Sequence, residues 1–153
     1  MAARLEGTES LVNAFSKIIA QINSPEAMRN LGGYLIQTIR KRTRGEAKGV
    51  SAPGGNAVKL RRVTDKYAKW RVKQQRHPQA ATGRTSNLTF KGKMLDAMIV
   101  KTASKSKLFI GFRSQKEADK SQWQEEQGRR FLVLSGKEIK DAAAYVKRNL
   151  ARR

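Results

Sequence analysis

Tyr67 and Trp70 lie three residues apart within "KLRRVTDKYAKWRVKQQR" (59–76), interleaved with seven basic side chains from Lys59 to Lys73. Cations grip phosphates and exposed rings stack on bases, so this pattern suits a polyanion. It equally suits two rings that anchor a basic segment to a core while the charges face solvent. Upstream, "RKRTR" adds more cations. The candidates for facing DNA or an acidic partner are Arg40, Lys41, Arg42, Arg44, Arg61, Arg62, Lys69, Arg71 and Lys73. A second place is "QWQEEQGRR" (122–130), where Trp123, Glu125, Glu126, Arg129 and Arg130 put both charge signs beside an aromatic ring. With Tyr67 and Trp70 these are the candidate contacts to another subunit or partner.

Catalytic chemistry finds less to use. His77 is the sole histidine and there is no cysteine. A Ser-His-Asp triad has only that residue to draw on, and thiolate zinc sites and disulfides are excluded. Glu117, Asp119, Glu125 and Glu126 cluster among Lys116 and Lys120 on a polar helical stretch. Glu125 and Glu126 are adjacent, and adjacent side chains on a helix do not face each other, which argues against a shared magnesium ion. A solvated or inter-subunit salt-bridging face is the expectation. "APGGNAVKL" (52–60) is rich in glycine but lacks the lysine-serine/threonine ending of a phosphate loop. The expectation is a protein that is not an enzyme and takes no metal, cofactor or small-molecule substrate.

The charge is the strongest global signal. Thirty-three basic and 12 acidic residues give a net charge of +21 over 153 residues. The distribution is uneven: residues 1–39 balance, whereas 40–76 hold thirteen basic side chains against two acidic ones. Such a chain seeks polyanions, whether nucleic acid or acidic protein. No apolar run approaches the roughly 18 residues of a membrane span, and "MAARLEGTES" lacks a secretory layout. The chain reads as soluble and intracellular, with no membrane partner.

Elements must hold these residues in place. Leu11, Phe15, Ile18 and Ile22 share one helical face. Ser24 and Pro25 begin a second helix carrying Met28, Leu31, Leu35 and Ile39 on one side. Gly32-Gly33 within it marks a place for a close helix contact. Residues 45–62 read as a glycine-rich loop, and a short helix capped by Thr64 or Asp65 runs toward Pro78. A helix around 91–97 leads into a strand near 99–103. A tight turn at Lys105-Ser106 joins it to a strand over 107–113, expected to be central. The polar helix over 114–127 precedes a third strand, "RRFLVLS". Ser135 and Glu138 form a capping box for a last helix with Ile139, Ala143, Val146 and Leu150 on its apolar face. The fold class is α+β: a small, mainly antiparallel sheet packed against an N-terminal helical pair and a C-terminal helix. One domain over 1–153 divides into helices (1–44), a long basic arm that orders on contact (45–87), and sheet with C-terminal helix (88–153).

Taken in order, "APGG" (52–55), "VTDKYAKWRVK" (63–73), "LTFKGKMLDAMIV" (88–100), "LFIGF" (108–112) and "QGRRFLVLSGKEI" (127–139) resemble the tail-completion or virion-morphogenesis proteins of tailed bacteriophages. The resemblance covers roughly Pro53 to Leu150. Two places depart from it: Phe90 replaces a usual threonine, and "SQWQEEQG" (121–128) replaces a histidine-containing segment. The resemblance implies a non-enzymatic neck component of the virion, assembled in the host cytoplasm. It implies a homo-oligomer, six to a ring, that touches other neck and tail proteins around the path of the genomic DNA. In that picture Gly128 turns the chain from helix to strand. Glu125, Glu126, Arg129 and Arg130 lie at a rim where identical neighbours need complementary charge. A basic nucleic-acid-binding protein is the alternative.

Overall fold

A computed structural model describes residues 24–74, 81–88, 92–105 and 107–150, with 16–17 and 20–22 before them. The architecture is α+β. Helix α1 spans Pro25–Arg40. The side chain of Ser24 accepts the Ala27 N–H at 3.1 Å, and Pro25 occupies the first turn, where its missing donor has no helical partner to lose. Met28, Leu31, Leu35 and Ile39 are buried as their spacing requires, together with Ile36. Leu11, Phe15 and Ile18 of the expected first helix lie outside the described residues; Ile22 is buried in the core. Past Arg40 the chain widens into a π turn, Lys41–Gly45, which carries Arg42 and Thr43 inward.

Residues 45–62 are more structured than a loop. Strands β1 (Lys48–Val50) and β2 (Ala57–Lys59) pair antiparallel, with Gly49 opposite Val58. The turn between them closes through Ser51 N–H to the Asn56 carbonyl and Gly55 N–H to that of Ala52. The proline and glycines that weakened a strand reading there are the turn itself. Helix α2 (Asp65–Val72) starts at Thr64 and stops well before Pro78. A single turn, α3 (Lys93–Asp96), then leads into β3 (Met98–Ala103), which pairs with β4 (Leu108–Phe112). The register shifts between Val100 and Thr102, a bulge at Lys101. Helix α4 covers Gln115–Glu126 and α5 covers Gly136–Asn149.

The expected third strand does not form. Among the described residues there are two separate two-stranded sheets, and β4, expected to be central, pairs with β3 alone. Residues 129–135 run as a strap instead. Phe131 and Leu134 are buried, a spacing of three rather than the strand period of two. The Glu125 carboxylate accepts the N–H groups of Phe131 (2.8 Å) and Leu132 (3.1 Å), donors that a neighbouring strand would have needed. The strap touches the first hairpin through isolated bonds, Val50 N–H to the Arg130 carbonyl and Gly54 N–H to that of Leu134.

One core joins α1, the α3–β3–β4 unit, the strap and α5. Met28, Leu31, Leu95, Phe131 and Val146 are among its fully buried side chains. Each contributes about 1.5–3 kcal/mol by leaving water. Tyr34 of α1 and Tyr145 of α5 stack with ring centroids 4.3 Å apart and planes 12° from parallel. The close approach at Gly32 is to strands, not to a helix. A Cβ there would lie 2.5 Å from Val100 Cγ2 and 2.9 Å from Leu108 Cδ1. Gly33, one residue on, faces open space.

The polar centre of the fold is Arg42, which was expected to face a polyanion. It is 4% exposed, pairs with the Glu138 carboxylate and donates to the Phe131 carbonyl. The π turn aims it inward, where the strap leaves a carbonyl to be satisfied. Burial pushes its guanidinium below the usual arginine range, and Glu138 opposes that shift. Glu138 also accepts the Ser135 N–H at 2.8 Å, so the capping box and the ion pair share one oxygen.

Two stability results follow. Gly33→Ala is expected to raise stability by up to about 1 kcal/mol through helix propensity, whereas Gly32→Ala lowers it by overpacking the strands; urea unfolding midpoints that move the same way would contradict the packing. Arg42→Ala is expected to lower stability by about 3–5 kcal/mol, because Glu138 is left buried and unpaired. Lys41→Ala, at an exposed neighbour, should stay within about 0.5 kcal/mol; equal losses in urea titrations would refute the tie.

Candidate functional site

Helix α2 is eight residues long and is held by its surroundings more than by its length. Thr64 accepts the Tyr67 N–H at 3.3 Å to start it. Tyr67 and Trp70 then emerge on one side, ring centroids 5.4 Å apart and 39% and 47% exposed. Arg71, expected to face a polyanion, is only 5% exposed. Its guanidinium donates to the carbonyls of Gly83 and Thr85 and lies 6.0 Å from the centre of the Tyr67 ring. It therefore fastens α2 to the segment 81–88. Asn87 fastens that segment in turn, accepting the Ala81 N–H and donating to the Arg44 carbonyl at 3.0 Å. His77 lies outside the described residues.

Opposite stands α4, capped by Ser114. Lys120, Trp123, Gln124 and Gln127 recur at spacings of three, one and three and share one face. The helix ends in a Schellman turn: Gly128 N–H bonds the Glu125 carbonyl, Arg129 N–H bonds that of Gln124, and Gly128 has φ +75°. That conformation, which favours glycine, brings Arg129 back beside the helix. Its Nε donates to the Arg61 carbonyl and its Nη1 to Gln124 Oε1. Burial pushes the Arg129 guanidinium below its usual range, nearby Arg61 adds to this, and Tyr67 opposes it.

Between these walls lies a cleft of about 560 Å³. Val63, Leu88 and Met94 supply apolar surface, and Tyr67 and Trp123 supply rings. Arg71, Lys93, Lys120 and Arg129 bring positive charge, and no lining residue is acidic. Trp123 is 53% exposed. The arrangement suits binding by shape and charge: rings and aliphatic groups for an apolar side chain, ammonium groups for an anion beside it. Among the described residues no group of three or more His, Asp or Glu could hold a metal ion, and no helix is long and apolar enough to cross a membrane.

The structure divides the remaining candidates. Arg40 is turned inward, donating to the carbonyls of Leu95, Asp96 and Met98 at 2.9–3.2 Å. Desolvation lowers its pKa, with Asp96 opposing. Arg44 pairs with Asp96 at 2.6 Å. Lys41, Arg61, Arg62, Lys69 and Lys73 are exposed. Arg130 is exposed and reaches the Ser51 carbonyl at 3.2 Å. Glu126 is exposed and accepts from Gln122 of its own helix. Glu125, expected at a charged rim, is directed at the strap. The structure thus joins Tyr67, Arg71, Trp123 and Arg129 in one cleft and leaves Glu125 and Arg42 to internal work. Sequence reasoning missed Lys93, Met94 and Lys120. The stripe through Lys120 and Trp123 was readable at helical spacing; Lys93 and Met94 carried no comparable signal.

Glu125→Lys is expected to cost more than about 1.5 kcal/mol, the lower end for hydrogen bonds to a charged group. Glu126→Lys should stay within about 0.5 kcal/mol. Thermal unfolding of both variants checks this, and a harmless Glu125→Lys would show that the strap does not need its carboxylate.

Compared with family models, with curated proteins and with solved structures, the chain matches none.

Proposed function

We propose that this protein is a structural component of the neck of a tailed phage, acting by assembly and not by catalysis. The observation that carries the reading is the aromatic surface formed by two rings of the cleft, Tyr67 and Trp123, and by Trp70 beside Tyr67. Tyr67, Trp70 and Trp123 are all more than a third exposed, on a chain of net charge +21. Large exposed rings beside cations are the composition of interface centres, where aromatic and arginine side chains dominate binding. The ordered motifs from "APGG" to "QGRRFLVLSGKEI" supply the particular assembly, a ring around the DNA path that touches other neck and tail proteins. Rim pairing between identical neighbours rests on Glu126 and Arg130, since Glu125 is engaged within its own chain.

A second reading rests on α2 itself. Arg62, Lys66, Lys69 and Lys73 are exposed around Trp70, which suits a nucleic-acid backbone with a base stacked on the ring. The two readings separate by location and by salt. Quantitative mass spectrometry of purified particles, scaled to the major capsid protein, is expected to find about six or twelve copies, one or two of the six-membered rings that the resemblance implies. Absence from particles would overturn the neck assignment. Binding to DNA that falls steeply with salt and keeps a defined site size would then support the second reading.

A further inference from the structure

We infer that the cleft between α2 and α4 is a docking site for an acidic peptide segment of a different protein, one that inserts an aromatic or long aliphatic side chain. The inference names a ligand chemistry for the cleft and stands whether or not the protein belongs to a neck.

Three observations converge. The cleft is large enough for a peptide side chain and is lined by Tyr67, Trp123 and Met94. Its charged lining is wholly cationic. The third observation concerns the rest of the chain. Among the described residues, Glu138 is engaged by Arg42, Asp96 by Arg44, Glu117 by Lys120, Asp65 by Arg84 and Glu46 by Lys48. Glu125 is held by the strap. Glu26, Asp119 and Glu126 are exposed outside these pairs, but each copy carries a net charge of +21, so a second copy brings net positive charge to a cationic cleft and an acidic segment of another protein is the better complement.

A peptide fits better than a nucleic acid. Arg71 and Arg129 already donate to carbonyls of their own chain, which fixes them as walls. Lys120 pairs with Glu117 of its own helix at 2.8 Å, so the ammonium group of Lys93 is the cation best placed to meet a ligand. The longer track of exposed charge that a phosphate backbone calls for, Arg62, Lys66, Lys69 and Lys73, is not part of the cleft lining. A lysine beside apolar lining matches a carboxylate next to a buried anchor, where shape supplies affinity and charge supplies selectivity.

The test uses the full chain and a fluorescein-labelled peptide with one phenylalanine flanked on each side by glutamates, followed by fluorescence anisotropy. Saturable binding is expected. Trp123→Ala should weaken it by at least about tenfold, the loss typical of a central aromatic contact. Lys93→Glu should weaken it as well, and Lys147→Ala, on the exposed face of α5, should leave it unchanged. Melting curves confirm that each variant is folded; should Trp123→Ala fail to fold, Lys93→Glu carries the test. Equal binding of a peptide with alanine in place of phenylalanine would overturn the proposal, since the cleft would then be no more than a polyanion attractor. So would the absence of saturable binding, or tighter binding of an oligothymidine that Trp123→Ala does not affect.

Discussion

A buried ion pair sits where three parts of the chain meet. Arg42 leaves the π turn after α1, pairs with Glu138 in the first turn of α5 and donates to the Phe131 carbonyl in the strap. The same Glu138 oxygen completes the capping box with Ser135. Buried charges are tolerated only when paired and hydrogen-bonded, so the three segments cannot shift independently without exposing an unpaired group. The apolar contacts supply most of the stability, but they are non-directional. The ion pair selects one relative placement of α1, strap and α5.

That placement reaches the cleft through the strap. Glu125, in the last turn of α4, binds two strap N–H groups, and its charge also favours the Arg42 guanidinium. Between these two carboxylates the chain turns at Gly128, which returns Arg129 to the side of α4. Trp123 and Lys120 follow from the same helix orientation. On the far wall Arg71 does comparable work, holding α2 against 81–88. Three arginines of a strongly basic chain that read as outward contacts, Arg42 and Arg71 toward a polyanion and Arg129 toward another subunit or partner, thus serve as internal hydrogen-bond hubs. The planar fork of the arginine side chain, with five donors and a charge it does not lose, suits backbone carbonyls that lack other donors.

This division changes how the charge of +21 should be understood. Part of it builds the framework. The rest lies on exposed residues such as Lys41, Arg62, Lys69 and Lys73, and at the mouth of an aromatic cleft. Most described carboxylates already face a cation of the same molecule. The surplus therefore faces outward.

The sequence alone determined what depends on neighbours along the chain. Ser24-Pro25, Thr64 and the Ser135–Glu138 box mark helix starts because caps act over three residues. The apolar faces of α1 and α5 follow from helical period, and the α+β class follows from the mixture of periods. Only the tertiary structure decided what depends on distant partners. The "FLVL" run had the composition of a strand, yet became a strap once Glu125 satisfied its amides. Arg42 and Arg71 looked like their exposed neighbours, because the sequence does not record which carbonyls will lack a donor after packing. Lys93 joined Trp123 for the same reason: a cleft forms between elements brought together by the core, and no local spacing encodes it.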